Sequence, residues 1–340
     1  MIAASVPPNP LYSEPEWLKS AAEWITSRLQ HDDIRITGRI DQTHIRPWST
    51  VLSIPTDSGI VIFKAAIEAW NHETPITVAI SRRCPYLTPK LIAADPDRNW
   101  MLMRHGGMSL RTILKQRPDI DRWSAALLSY ARLQRLLAPH SDELIGLGAE
   151  DRRLSTLPLL YAKLLEEAAP LRLGEAGGIS KDEHASLRAL AQKFESDCGR
   201  LEQYGIVETI QHDDLHDNNI LVNDAGEEPY LFFDWGDSCV AHPFFSLVVA
   251  TRSIGWTLGV DAFAPAVGEV TGPYLEEWGD EMPLANLRDA CSIAARLGIV
   301  CRALTWYKLL PGIDPTFESD LGGGVVQWLR EYLNAEQACK

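Results

Sequence analysis

The chain has 340 residues, more than a single hydrophobic core usually serves, so two lobes or domains are expected. Hydrophobic residues make up 46% and charged residues 23%, and the formal net charge of -14 argues against nucleic acid or an anionic membrane as partner. No apolar run approaches a membrane span, and the opening MIAASVPPNPLYSEPEW lacks a basic region followed by an apolar core, so neither anchor nor signal peptide is expected.

Residues 1–13 are Pro-rich and read as extended. Glu14-Pro15-Glu16 opens a helix to about Leu29, with Trp17, Leu18, Ala21, Trp24, Ile25 and Leu29 at helical spacing. Strands are predicted at Asp33–Ile40, Thr50–Ile54 and Gly59–Ala65, the last two joined as a hairpin through Pro55-Thr56-Asp57-Ser58. A helix containing Glu73 ends before Pro85, and Lys90–Ala94 with Trp100–Met103 forms a second hairpin. Arg104-His105-Gly106-Gly107 reads as a hinge, after which the pattern turns helical: Ser109–Gln116, Ile120–Leu137, Leu157–Ala168 and Lys181–Tyr204. Three short apolar runs interrupt it, at Ile206–Ile210, Ile220–Val222 and Tyr230–Phe233, the last two closed by Asn223-Asp224-Ala225-Gly226. Helices resume at Pro243–Leu258, Leu284–Leu310 and Gly324–Leu333. The six cysteines (Cys84, Cys198, Cys239, Cys291, Cys301, Cys339) show no C-x-x-C or metal spacing, which suits reduced thiols in the cytoplasm.

The chemistry-bearing stretch is Gln211–Gly236, QHDDLHDNNILVNDAGEEPYLFFDWG. His212, Asp214, Asn219 and Asp234 fall in loops at the ends of short strands, where oxygen ligands can converge on a metal. Their spacing resembles a kinase catalytic loop, H-R-D-L-x-x-x-N, with Asp234-Trp235-Gly236 standing for D-F-G. Phosphoryl transfer requires clamped phosphates, neutralised charge and an aimed acceptor hydroxyl. Asp214 is the candidate catalytic base, Asn219 and Asp234 the candidate Mg²⁺ ligands, and His212 a brace for the loop. Lys64, ending a strand as the lysine of V-A-I-K does, is the candidate phosphate cation; Glu73 is its candidate ion-pair partner, with Glu68 as competitor. Met101–His105 would be the hinge strand meeting a nucleotide base, with Met103 and His105 as candidate contacts. Asp213, Asp217 and Asp237 add negative charge, and Trp256, Trp278, Trp306 and Tyr307 are candidates for an acceptor wall.

At these residues the chain resembles the aminoglycoside phosphotransferase and choline kinase-like family of small-molecule kinases, whose loop typically reads H-G-D-L-H-x-x-N with D-W-G after it. His212, Asp214, Leu215, His216 and Asn219 match, as do Asp234, Trp235 and Gly236. Two departures stand out: Asp213 replaces the usual glycine, and Ala241-His242-Pro243 with Ser246 replaces G-D-P and a following aspartate. The resemblance implies an α+β, protein kinase-like bilobal fold. The strand-rich order before the hinge and the helices after it place the small antiparallel-sheet N-lobe over residues 1–105 and the larger, mainly helical C-lobe over residues 106–340. The resemblance covers about Ile36 to Leu310 of them. It also implies Mg²⁺, ATP (GTP being the alternative donor) and a small hydroxyl acceptor. The acidic chain suits a cationic or neutral acceptor better than an anionic one. A non-catalytic nucleotide-binding protein is the alternative, suggested by His242 and Ser246, whereas a protein kinase is disfavoured by the missing A-P-E and Gly-rich loop.

Overall fold

The computed structural model describes residues 8–224, 226–279, 282–309 and 318–338. After a short turn at Pro10–Ser13, Pro15 occupies the first position of helix α1 (Pro15–His31), where its missing N–H costs no hydrogen bond. The α1 residues Ala21, Trp24, Ile25 and Leu29 are buried against a five-stranded antiparallel sheet. Its strands are β1 (Asp41–Ile45), β2 (Ser49–Thr56), β3 (Gly59–Ala66), β4 (Leu91–Asp95) and β5 (Trp100–Arg104), in the order β1-β2-β3-β5-β4. Edge-to-face contacts of Trp24, Phe63 and Trp100, with centroids 5.4 to 5.8 Å apart, hold α1 to the sheet. Because side chains alternate along a strand, Phe63 in this cluster sends its neighbour Lys64 to the opposite face.

The strand expected at Asp33–Ile40 is reduced to one bridge, Ile36 to Thr56. Thr37 N donates to Pro55 O, but Pro55 has no N–H to return the bond, and the Arg35 N–H goes to the Asp57 side chain. The ladder cannot extend on either side. The turn at Pro10–Ser13 likewise replaces part of the extended start.

Helix α2 (Glu73–Arg83) follows β3 and is fixed to the sheet by Asn99, which lies in the turn between β4 and β5 at φ +52°. Asn99 Oδ1 accepts from the Thr74 N–H and hydroxyl, and its Nδ2 donates to the Ile67 and Trp70 carbonyls. The chain then leaves the sheet through Gly106-Gly107. Gly107, at φ +109°, lies so close to the Val222 carbonyl that a Cβ would collide with it.

The second lobe begins with β6 (Met108–Ser109) and helices α3 (Leu110–Gln116), α4 (Asp121–Leu137) and α5 (Ser141–Gly146). Strand β7 (Glu150–Asp151) precedes α6 (Leu157–Glu166), α7 (Ala168–Leu171), α8 (Lys181–Ala189) and α9 (Ala191–Glu202). The single helix expected over Lys181–Tyr204 is thus two, meeting at Leu190. Four short strands follow: β8 (Thr209–Gln211), β9 (Ile220–Val222), β10 (Tyr230–Phe232) and β11 (Cys239–Ala241). They make two three-stranded sheets, β10-β9-β6 and β7-β11-β8, so the β8–β9 and β10–β11 connections lie side by side. The expected hairpin is β9–β10, paired from Ile220↔Phe232 to Val222↔Tyr230; Ala225 of its turn lies outside the described residues.

Helices α10 (Leu247–Leu258), α11 (Pro265–Glu276), α12 (Leu284–Leu309) and α13 (Glu318–Ala338) complete the lobe. Helix α11 was not expected; Gly268, Gly272 and Pro273 weaken its intrinsic preference, yet Val267, Val270, Tyr274 and Leu275 bury one face of it. Leu310 and Cys339 lie outside the described residues. One large core containing Trp123, Tyr130, Phe232, Trp235, Phe244 and Tyr274 spans this lobe, and no helix among the described residues is long and apolar enough to cross a membrane.

Candidate active site

A cavity of about 610 Å³ opens between the sheet and the helices, and Lys64, Asp214, Asn219 and Asp234 all line it. Residues far apart in sequence and from both lobes therefore meet in one place. Met103 and His105 do not line it. Met103 is buried on β5 between β3 and β4, and the His105 N–H is spent on the Ile60 carbonyl.

The Lys64 ammonium donates to Glu73 Oε1 and, at 2.5 Å, to Asp234 Oδ1. Glu73 is thus the partner, and Glu68 belongs to a short turn ahead of α2. Burial works against a charged Lys64, but Asp234 and Glu73 outweigh it and hold the ammonium above its usual range. Asp234 sits at φ +69°, a left-handed backbone that costs an aspartate on the order of 1 kcal/mol.

Asp214 is bonded on both oxygens. Oδ1 accepts from Arg302 Nη2 at 3.0 Å, while Oδ2 accepts from Asn219 Nδ2 at 3.3 Å and lies 3.4 Å from His216 Nε2. Burial alone would raise its pKa, yet Arg302 and then His216 keep the carboxyl well below the usual carboxylate range. The other terminal nitrogen of Arg302 donates to Asp237 Oδ2 at 2.6 Å. Burial pushes Asp237 up to about 6, with Arg302 pulling it down and Asp214 adding to the rise.

His212 is fully buried and does not line the cavity; its Nε2 bonds the Phe233 carbonyl at 2.7 Å, and its ring packs on Trp235. It braces the loop, as expected of it. The two departures from the family pattern also have structural counterparts. Asp213 adopts φ +59°, the region a glycine enters freely, and turns its carboxylate inward to accept from Thr305 Oγ and Gln211 Nε2, with Arg152 and Arg302 3.7 and 3.6 Å away. Where an acid is usual, Ser246 bonds Tyr130 Oη at 3.0 Å and Gln211 Oε1 at 3.3 Å, and Tyr130 Oη accepts the His212 N–H at 2.9 Å. Two hydroxyls hold the loop backbone in place of a carboxylate. His242 Nδ1 accepts the Phe244 N–H and so caps the following turn.

The other candidates separate. Asp237, His216 and Trp306 line the cavity. Asp217 is buried in an ion pair with Arg111, Trp278 packs on Phe244, Tyr307 donates to Glu167, and Trp256 is exposed beside Arg111 and Lys115. Arg302 was not singled out from the sequence. The available signal was one arginine inside the apolar run Ile299-Val300-Cys301-Arg302-Ala303-Leu304, a position that demands buried acidic partners.

A magnesium ion suits the donors present. Asn219 spends its amide nitrogen on Asp214, which leaves Oδ1, and Asp234 spends Oδ1 on Lys64, which leaves Oδ2. These are hard oxygens, one of them anionic, lining one cavity. Among the described residues no three His, Cys, Asp or Glu side chains are grouped to hold a metal alone. Phosphate and water oxygens would complete the shell of a Mg²⁺ ion, its usual preference.

Residues 131–284 match the model of the phosphotransferase enzyme family (APH). No curated protein matches the chain. Among solved structures, choline kinase from Cryptosporidium parvum Iowa II superposes with a TM-score of 0.60 at 12% identity, covering 88% of this chain and 89% of that one. A GDP complex of an aminoglycoside 2'-phosphotransferase gives 0.58 at 14% identity, covering 92% and 97%. Macrolide 2'-phosphotransferase from Brachybacterium faecium gives 0.56 at 15% identity, covering 89% and 98%. The family model thus matches the segment that holds Asp214, Asn219 and Asp234, and the chain has the protein kinase-like fold of the aminoglycoside phosphotransferases and choline kinases.

Proposed function

We propose that the protein is a small-molecule kinase that transfers the γ-phosphoryl group of magnesium-bound ATP, with GTP as the alternative donor, to a hydroxyl of a small acceptor. The observation that carries this reading is the joint presence in one cavity of a paired lysine, Lys64, and an oxygen set, Asp214, Asn219 and Asp234. The family match over residues 131–284 supports it. Residues 1–105 would serve the nucleotide and residues 106–340 the reaction and the acceptor. The five described cysteines are all free thiols, which supports a cytoplasmic location.

In this mechanism Lys64 binds nucleotide phosphates while Glu73 and Asp234 keep it charged and aimed. Asn219 and Asp234 would hold Mg²⁺, which when bound neutralises phosphate charge. Asp214 orients the acceptor hydroxyl. A bond forms between that oxygen and the γ-phosphorus as the bond from phosphorus to the β–γ bridging oxygen breaks, and the hydroxyl proton passes to Asp214 and on to solvent. With its pKa held low, Asp214 is a weak base that takes the proton late, so most of its effect is positional. Tyr130 and Ser246 favour the active reading over a purely binding one, because the loop backbone keeps its support.

The deciding experiment is MgATP binding by thermal shift with turnover read as ADP release. Asp214→Asn should keep the shift and lose about 10²–10⁴-fold in turnover. Absence of both shift and turnover in the unaltered protein removes the reading, and a shift without transfer to any acceptor favours the non-catalytic alternative.

A further inference from the structure

The cavity differs in charge from the chain around it. The whole protein carries -14, yet the lysine, arginine, aspartate and glutamate side chains lining the cavity are Arg46, Lys64 and Arg302 against Asp214, Asp234 and Asp237. Each of those carboxylates is already bonded to a cation of this chain: Asp214 and Asp237 to Arg302, and Asp234 to Lys64. An ammonium seeking a carboxylate beside the acceptor hydroxyl would have to compete with a guanidinium that bridges Asp214 and Asp237, and displacing it would leave that buried arginine with Asp213 alone.

The apolar wall points the same way. Trp306, Leu309 and Trp328 line the cavity along with Arg302. Aromatic cages hold quaternary ammonium groups by offering ring faces to the cation. Here the Arg302 guanidinium already lies 5.8 Å from the Trp306 ring, and that of Arg252 lies 4.7 Å from the Trp328 ring. A further cation would meet like charge at both indoles. A neutral aliphatic or flat body meets none, and its burial against indole is favourable without a counter-ion.

We propose that the acceptor is an uncharged hydroxyl compound with an apolar body, seated on Trp306, Leu309 and Trp328, and that Arg302 disfavours amine-bearing acceptors. The inference rests on the kinase reading for the role of Asp214, but the selection it describes is a binding event and needs no turnover to be seen. Its test uses two matched pairs that differ in one charge: choline against its carbon isostere 3,3-dimethylbutan-1-ol, and methyl 2-amino-2-deoxyglucoside against methyl glucoside. Each is titrated into the full chain saturated with magnesium and a non-hydrolysable ATP analogue, with tryptophan fluorescence as readout. The neutral member of a pair should bind about tenfold tighter or better, the scale of one displaced charge contact. Equal or tighter binding of either charged member overturns the proposal. Arg302→Gln frees Asp214 and Asp237 and should turn the preference towards the charged member; a folded variant that keeps the neutral preference overturns the role given to Arg302. Failure of the ATP analogue to bind is read separately from the same titrations and sinks the kinase reading instead.

Discussion

Tyr130→Phe removes one buried oxygen and nothing else, and it tests whether hydroxyls have replaced the usual acid beneath the proposed catalytic loop. In the structure Tyr130 Oη accepts the His212 N–H at 2.9 Å and bonds Ser246 Oγ at 3.0 Å, and the tyrosine is fully buried. Without it the His212 N–H has only Ser246 Oγ, at 3.4 Å, to turn to. A buried donor left wholly unpaired costs about 1–3 kcal/mol, so partial rescue by Ser246 places the single variant near 1–2 kcal/mol. Adding Ser246→Ala removes the rescue and should bring the total to about 3 kcal/mol, more than the two single losses together. Urea unfolding followed by tryptophan fluorescence measures the stabilities. Turnover should fall more than MgATP affinity, because the hydroxyls support the loop that carries Asp214 and Asn219 while Lys64 is held from the other lobe. A loss under about 0.5 kcal/mol, additive with Ser246→Ala and with turnover intact, would refute the reasoning.

Three further outcomes are expected. Burial lowers the pKa of His242, and that of His72, to about 3, so below pH 6.5 the unfolded chain takes up protons that the folded chain refuses. Stability should therefore fall as pH drops, by about 2 kcal/mol per histidine between pH 7 and 5, and His242→Asn, which keeps a capping acceptor, should flatten the melting-temperature profile over that window. Lys64→Met leaves Glu73 buried without its cation and should cost about 3–5 kcal/mol; adding Glu73→Gln should recover much of that stability without recovering MgATP binding. Asn99→Ala removes the side chain that ties α2 to the sheet, which should cost about 1–2 kcal/mol and weaken MgATP binding through Glu73, measured by chemical unfolding and thermal shift.

Much of the candidate site was legible in the sequence because it is written in loops of fixed spacing. His212, Asp214, Asn219 and Asp234 lie on two neighbouring connections, and the strands that anchor them are short apolar runs. Lys64 was legible for a different reason, its place at the end of an apolar strand run as in V-A-I-K, and the alternation along β3 that puts it opposite Phe63 is what turns it into the cavity. Arg302 could not be paired from sequence, since its partner Asp214 lies 88 residues away and only tertiary packing brings α12 to the loop. Helix α11 was hidden by Gly268, Gly272 and Pro273, whose weak intrinsic preference is overruled by burial of Val267 and Tyr274. The support from Tyr130 was equally silent: a tyrosine within an amphipathic helix reads as core, and only its oxygen's position reveals the bond to His212.

The arginine on α12 also sets an order of events. Asp213, Asp214 and Asp237 crowd one another, and the guanidinium that reconciles them belongs to a helix near the end of the chain, tied down by Arg152 through the Cys301 carbonyl and Thr305. During synthesis the acidic loops emerge long before their counter-charge, and until α12 docks they are a cluster of repelling carboxylates. The lobe therefore cannot hold its reactive loop in shape from a nascent or shortened chain that stops before Thr305.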